Sequence, residues 1–225
     1  MLFRSIISIP GLIVWLLVVG MGGYLVLSNS TELFAQSQGL LAPSNLIYLY
    51  LCLFFLKIFH ELGHAAMTKR FGGEVHVMGV MFLVFTPLPY MDASSSWAFR
   101  NKWHRVLVGA AGMIVELFFA SVAAWFWVYS GDEVVRSLAF NIMMIGSISS
   151  LFFNGNPLTR LDSYYILSDW LEIPNLAERA KRQWFYGIER FCYGVKDIFP
   201  PSHSFMEGFW LLLYGLMSFL YRILI

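Results

Sequence analysis

The chain has 225 residues, of which 58% are hydrophobic and 13% are charged, and its formal net charge at pH 7 is +1. This composition, with a mean hydropathy of +0.65, excludes an ordinary soluble globular domain and indicates a membrane protein. The near-neutral charge gives no sign of a nucleic-acid partner, and the two isolated cysteines, Cys52 and Cys192, provide neither a disulfide framework nor a CxxC metal site.

Five apolar segments are long enough to cross a hydrocarbon core, which takes about 20 helical residues. They predict an all-α polytopic membrane protein with transmembrane helices over residues 6–27, 45–68, 106–129, 134–153 and 209–225. Residues 72–89 are rich in Val, Phe and Met with Gly and Pro at the ends, which favours a small β-hairpin or a re-entrant segment. Residues 174–197 mix charged and aromatic residues at helical spacing, which is typical of an amphipathic helix on a membrane surface. We expect residues 1–225 to form a single membrane-embedded domain.

The distribution of basic residues predicts how this domain is oriented, because short loops rich in Lys and Arg stay on the cytoplasmic side. Arg4 precedes the first apolar segment, whereas the linker over residues 28–44 contains no Lys or Arg. The loop between the second and third segments is basic, and so is the stretch after the fourth. We therefore expect a cytoplasmic N-terminus, with residues 72–89 and 174–197 on the cytoplasmic side.

The second apolar segment contains KIFHELGHAAM, which places three ionisable side chains within five positions. HELGH matches the pattern HExxH, in which two histidines four residues apart lie on the same face of a helix and can bind one zinc ion. His60 and His64 are the candidate ligands, and Glu61 is the candidate general base. The alternative is a pair of histidines hydrogen-bonded between packed helices with Glu61 as their partner. The cost of ionisable groups at membrane depth favours the functional interpretation.

A catalytic zinc usually takes a third protein ligand and leaves a fourth position open for water. The other three histidines are scattered along the chain, whereas Asp162 follows the fourth apolar segment. The second and fourth segments are both expected to run from outside to inside. HELGH and Asp162 would then reach the same side of the membrane, which makes Asp162 the better candidate.

Three separated stretches resemble the site-2 protease family of intramembrane zinc metalloproteases. HELGH is followed by VLVGAAGMIVELFF and then by FFNGNPLTRLDSYYILSDWLEIPNL. Together with PYMDASSSWAF, these stretches are most similar to the peptide zinc metalloprotease branch, over residues 46–225. The resemblance implies a bound Zn2+ and a bacterial inner (plasma) membrane as the location.

The resemblance also assigns roles to individual residues. The implied zinc ligands and catalytic glutamate are His60, His64, Asp162 and Glu61. The implied residues of the loop beside the metal are Asn154, Asn156 and Pro157. The sequence departs from the family pattern at Ser163, where glycine is usual, and at Met113 and Glu116, where proline and asparagine are common. Glu116 is then either a paired carboxyl between helices or an acceptor for a zinc-bound histidine.

We therefore expect an intramembrane zinc metalloendopeptidase that cuts membrane-associated or peptide substrates near the cytoplasmic side. The alternative is a non-catalytic membrane subunit that binds peptides and passes them to an export or adaptor partner. A metal sensor or transporter would need more ligands along a path than this chain offers. Residues 72–89 either hold an extended peptide by strand addition or only cover the cytoplasmic mouth of the site. Tyr90 and Asp92 are candidates for the entrance, although Asp92 also fits a solvated loop.

Overall fold

In the computed structural model, residues 8–83 and 86–225 are described, and the chain divides into two compact units, Met1–Gly155 and Asn156–Ile225. Arg4 and the first two residues of the expected helix 6–27 lie outside the described residues. The same holds for Val84 and Phe85 within the expected hairpin.

The first unit is built mainly from long apolar helices. Its described helices are α1 (Ile9–Ser28), α2 (Ser30–Ser37), α3 (Leu46–Arg70), α4 (Lys102–Tyr129) and α5 (Glu133–Ile148). The chain continues beyond α5 as a π-helical turn over Ser149–Asn154, and a short 3-10 helix, Ser94–Ala98, precedes α4. All of these α-helices except α2 are long and apolar enough to cross a membrane, with α5 counted together with its π-helical turn.

Several of these helices start next to a polar side chain that accepts a hydrogen bond from a backbone amide of the first turn. The Ser8 hydroxyl accepts a hydrogen bond from the Gly11 amide at the start of α1. The Asn101 side chain accepts from the Trp103 amide at the start of α4, and the Asp132 carboxylate does the same for α5. These contacts satisfy backbone donors that have no partner inside the helix, which fixes where each helix starts.

Helix α4 lies at the centre of the first unit and packs against α1, α3 and α5. The approach of α3 to α4 is close, since a Cβ atom at Gly63 would lie only 2.9 Å from the carbonyl oxygen of Ala111. Small residues allow such contacts between membrane helices. A core between α4 and α5 contains Ala123, Ala124, Trp127, Ala139, Phe140 and Met143.

The segment between α3 and α4 forms an antiparallel hairpin of β1 (Met78–Leu83) and β2 (Thr86–Met91), with Met78 opposite Met91 and Val80 opposite Pro89. Strand β2 is half-buried and packs against α3, whereas the described side chains of β1 are exposed. The expected hairpin is confirmed, although its strands begin six residues later than residue 72.

The second unit contains the helices α6 (Asp162–Leu171), α7 (Leu176–Phe191) and α8 (Phe205–Leu224). Helices α7 and α8 pack together, and Arg179 of α7 forms an ion pair of 2.5 Å with Glu207 of α8. Helix α8 is the fifth helix that could span a membrane. The fold is thus the expected all-α polytopic one, with five candidate membrane helices and one small hairpin among the described residues.

Candidate metal centre

Helix α3 carries His60 and His64 one turn apart, and both side chains are buried. Their Nε2 atoms lie 3.1 Å from each other. Two nitrogens bound to one tetrahedral zinc, at Zn–N distances of about 2.0–2.1 Å, would be separated by roughly 3.3 Å. The two imidazoles therefore converge on one point at a spacing that suits a shared metal ion.

The contacts of the two Nδ1 atoms indicate which nitrogen of each imidazole carries the proton. His64 Nδ1 lies 2.7 Å from the carbonyl oxygen of Val108, and His60 Nδ1 lies 3.1 Å from Glu116 Oε1. A carbonyl oxygen only accepts hydrogen bonds, so His64 Nδ1 carries the proton and Nε2 of the neutral ring presents a lone pair. The carboxylate oxygen 3.1 Å from His60 Nδ1 favours the same tautomer for His60. In this tautomer the two Nε2 lone pairs face each other and repel, and a cation between them would remove that repulsion.

Glu116 of α4 is fully buried and contacts side chains from two other elements, α3 and the π-helical turn. Lys57 Nζ donates to its Oε1 at 2.6 Å, and the Ser150 hydroxyl donates to its Oε2 at 2.5 Å. Lys57 also donates to the Ser149 hydroxyl at 2.8 Å. The carboxylate thus pairs with a cation and also lies 3.1 Å from His60 Nδ1.

Gly112 is a part of this centre that sequence reasoning missed. A Cβ atom at this position would overlap the imidazole of His60. The absence of a side chain on α4 therefore leaves the space in which the His60 ring lies. The small-residue run GAAG in α4 was a signal of close packing, but it did not indicate which side chain lies against it.

Glu61 lies on α3 between the two histidines in sequence and is half-buried. Asn154 ends the π-helical turn and is buried. The structure brings together His60, His64 and Glu116 within the first unit. Asp162, the third predicted zinc ligand, belongs to the second unit.

In the second unit, Asn156 and Pro157 form a turn that leads towards α6. The Asn156 side chain accepts from the Leu158 amide at 2.9 Å, and its carbonyl accepts from the Thr159 hydroxyl at 3.1 Å. This local side-chain turn is one that Asn commonly makes. Asp162 is the first residue of α6 and is half-buried, and Ser163 follows it.

Tyr90 lies on strand β2 of the hairpin, and Asp92 directly follows that strand. Asp92 is exposed and accepts a hydrogen bond of 2.9 Å from the Ser94 amide. This contact with Ser94 lowers the pKa of the Asp92 carboxyl, as expected for a charged acceptor. Tyr90 is half-buried on β2. Asp92 therefore has the environment of a solvated loop acid.

Comparison with known protein families gives one match. The family model described as peptidase family M50 matches residues 48–220 of this chain. The match covers both histidines, Glu116, the hairpin and Asp162. No curated protein and no solved structure matches the chain.

Proposed function

Because the chain belongs to peptidase family M50, the site-2 protease family, and is an integral multi-pass membrane metalloprotease, we propose that it is a zinc-dependent endopeptidase. The proposed site of cleavage is near the cytoplasmic side of a bacterial inner membrane, with the N-terminus in the cytoplasm. The proposed substrates are extended peptides or unwound transmembrane segments. The zinc chemistry follows from the HELGH pattern, and the orientation follows from the distribution of basic residues. The bacterial inner membrane and the substrate class are what the resemblance to the family implies.

The observation that carries the proposal is the arrangement of the two histidines. Their Nδ1 atoms contact Val108 and Glu116, and their Nε2 atoms face each other at 3.1 Å. Metal-binding histidines typically donate their other ring nitrogen to a carbonyl or carboxylate, which fixes the tautomer and the ring orientation. This arrangement supports His60 and His64 as two zinc ligands.

We assign Asp162 as the third ligand on its sequence context. It follows the Asn-Pro turn in LTRLD, and it is the acid that the resemblance to the family aligns with a metal ligand. A carboxylate together with two histidines is a common ligand set of catalytic zinc sites, which keep a further position for water. Asn154, Asn156 and Pro157 would shape the loop that presents this aspartate.

The proposed mechanism assigns the proton transfers to Glu61. A bound zinc ion would lower the pKa of water towards 7 and polarise the scissile carbonyl group. Glu61 would take a proton from the attacking water and deliver it to the amine nitrogen that leaves. Val108 and Glu116 would hold the two imidazoles in the tautomer that presents Nε2.

The hairpin offers an edge for an extended substrate. The Asp92 amide donates a hydrogen bond to the Val77 carbonyl, so residues 77 and 92 face each other as a hydrogen-bonded pair. Hydrogen-bonded and non-hydrogen-bonded pairs alternate along antiparallel strands, and the N–H of Val80 therefore points away from β2. Pro87 and Pro89 have no backbone N–H, so the outer edge of β2 lacks two hydrogen-bond donors. Strand β1 is therefore the better edge for strand addition, and we propose that it holds the substrate.

Metal analysis of the detergent-purified protein tests the assignment of the centre. We expect about one zinc per chain in the wild type and in Glu61→Gln, and a weakened or lost zinc in Asp162→Ala. Asp169→Ala, a second aspartate of the same helix α6, is the matched control and should keep the metal. A well-folded wild type that takes up no zinc after reconstitution would overturn the proposal.

Glu61→Gln also separates the protease from a peptide-binding subunit. A protease loses cleavage and keeps its zinc, because the substitution removes the base and not a ligand. A non-catalytic subunit that passes peptides to an export partner would keep its biological activity in this variant.

A further inference from the structure

The carboxylate of Glu116 is held on both of its oxygens inside the first unit. Lys57 and His60, which are three residues apart on α3, both contact Oε1, and Ser150 contacts Oε2. Residues with this spacing lie on the same helix face. Helix α3 thus supplies both the cation and the imidazole that contact one carboxylate oxygen of α4.

The π-helical turn after α5 adds two consecutive serines to this group. Ser149 accepts from Lys57 at 2.8 Å, and Ser150 donates to Glu116 at 2.5 Å. Short π-helical segments occur frequently at functional sites, where they change the direction of side chains. In this protein the turn directs neighbouring hydroxyls to the two members of a single ion pair.

The buried ion pair of Lys57 and Glu116 is not explained by a contribution to the stability of the fold. Glu116 is fully buried and the Lys57 side chain is 21% exposed, so both charges lose most of their hydration. Replacement of a buried ion pair by well-packed apolar residues is often neutral or stabilising, whereas removal of one partner is strongly destabilising. A role at the adjacent histidine accounts for the pair better than a contribution to folding.

We propose that Lys57, Ser149 and Ser150 are positioning residues that fix the Glu116 carboxylate, and that Glu116 thereby holds the His60 imidazole in its metal-binding orientation. The inference rests on the proposed function, since it takes His60 as a zinc ligand. Without Lys57, the carboxylate keeps the Ser150 donor and the His60 contact among the described residues, and its Oε1 is free to turn away from the ring. The zinc affinity then falls although every ligand is still present.

The test measures zinc affinity by competition with a chelator, on the full-length protein in detergent. The variants are Lys57→Met and the double substitution Lys57→Met/Glu116→Leu, which replaces the whole pair by apolar side chains. We expect zinc affinity to fall 10- to 100-fold in the double variant, as for other partners of metal ligands, and roughly 10-fold in Lys57→Met. The double variant leaves no buried charge unpaired and should fold even where Lys57→Met does not.

Asn141→Ala provides the matched control. Asn141 of α5 is fully buried and pairs with Asn45, the residue before α3, so the substitution removes a polar contact between α5 and the start of α3. Asn45 lies 15 residues before His60, or about 22 Å along a helix. This variant should lower the unfolding temperature of the zinc-free protein and leave the zinc affinity unchanged.

The outcomes separate this inference from the proposed function. A wild type without zinc contradicts both. A wild type that binds zinc, with an equal affinity in the double variant, contradicts only the positioning role. An equal loss of affinity in Asn141→Ala and Lys57→Met would assign the effect to helix packing and would also overturn the inference.

Discussion

The imidazole of His60, on α3, lies directly against Gly112, on α4, at a place where no Cβ atom fits. Two helices thus determine the position of one predicted zinc ligand. Helix α3 supplies the ring, and α4 supplies the space for it. The same two helices approach closely again at Gly63, which lies against the Ala111 carbonyl.

Gly112→Ala is expected to displace the His60 ring. The added methyl group would overlap the imidazole, and overpacking of this kind typically destabilises a protein by about 1–3 kcal/mol. We also expect a loss of zinc affinity, because the ring can no longer face His64. Chelator competition and thermal unfolding of the same preparation would measure both effects.

Gly20→Ala is the control for this substitution. Gly20 lies within α1, and a Cβ atom there would meet nothing within 4 Å. Zinc affinity and stability should both stay close to those of the wild type. If Gly112→Ala binds zinc as tightly as Gly20→Ala does, the ring does not depend on the space at Gly112.

Asn141→Ala should destabilise the first unit without affecting the metal. Asn45 and Asn141 each donate to the other's side-chain oxygen at 2.9 Å. Removal of one partner leaves the other amide without this bond, at a cost of about 1–3 kcal/mol. Denaturant unfolding of the zinc-free protein would measure this cost. The double variant Asn45→Ala/Asn141→Ala should lose less than the sum of the single variants.

Val80→Pro tests the role of the outer edge of β1. The substitution removes an N–H that points away from β2, so the hairpin should persist while pairing with an extended substrate weakens. We expect slower cleavage of a pool of short extended peptides, measured by mass spectrometry. Val80→Thr keeps the N–H and should cleave at the wild-type rate.

Met81→Pro distinguishes the outer edge from the inner one. The Met81 N–H faces Leu88 in the ladder, so this substitution should open the hairpin and expose it to proteolysis. Equal cleavage rates in Val80→Pro and Val80→Thr would show that β1 only covers the site.

Gly215→Ala should loosen the second unit. Trp184 of α7 packs over Gly215 of α8 and donates its indole N–H to the Leu212 carbonyl at 3.1 Å. A methyl group at residue 215 would lie about 2.5 Å from the indole ring, which must then move. We expect faster hydrogen exchange of the α7 amides. Gly187→Ala, where a Cβ atom meets nothing within 4 Å, should leave that exchange unchanged.

The sequence determined the features that depend on residues close together in the chain. The five apolar segments predicted the five candidate membrane helices, because helix length and hydropathy follow from composition over about 20 residues. HELGH placed His60 and His64 on one face, since a spacing of four residues is fixed within any helix. The short polar helices α2 and α6 were not predicted, because neither has an apolar run of that length.

Only the tertiary structure decided which groups surround the two histidines. Val108, Gly112 and Glu116 lie between 44 and 56 residues beyond the histidines they contact, and Lys57 lies 59 residues before Glu116. No local pattern encodes such pairings. They depend on how α3 and α4 are rotated about their axes and how closely they approach, which the packing of small residues such as Gly63 and Gly112 determines. The sequence thus predicted two candidate ligands, and the packing of the helices decided the orientation in which their imidazoles are held.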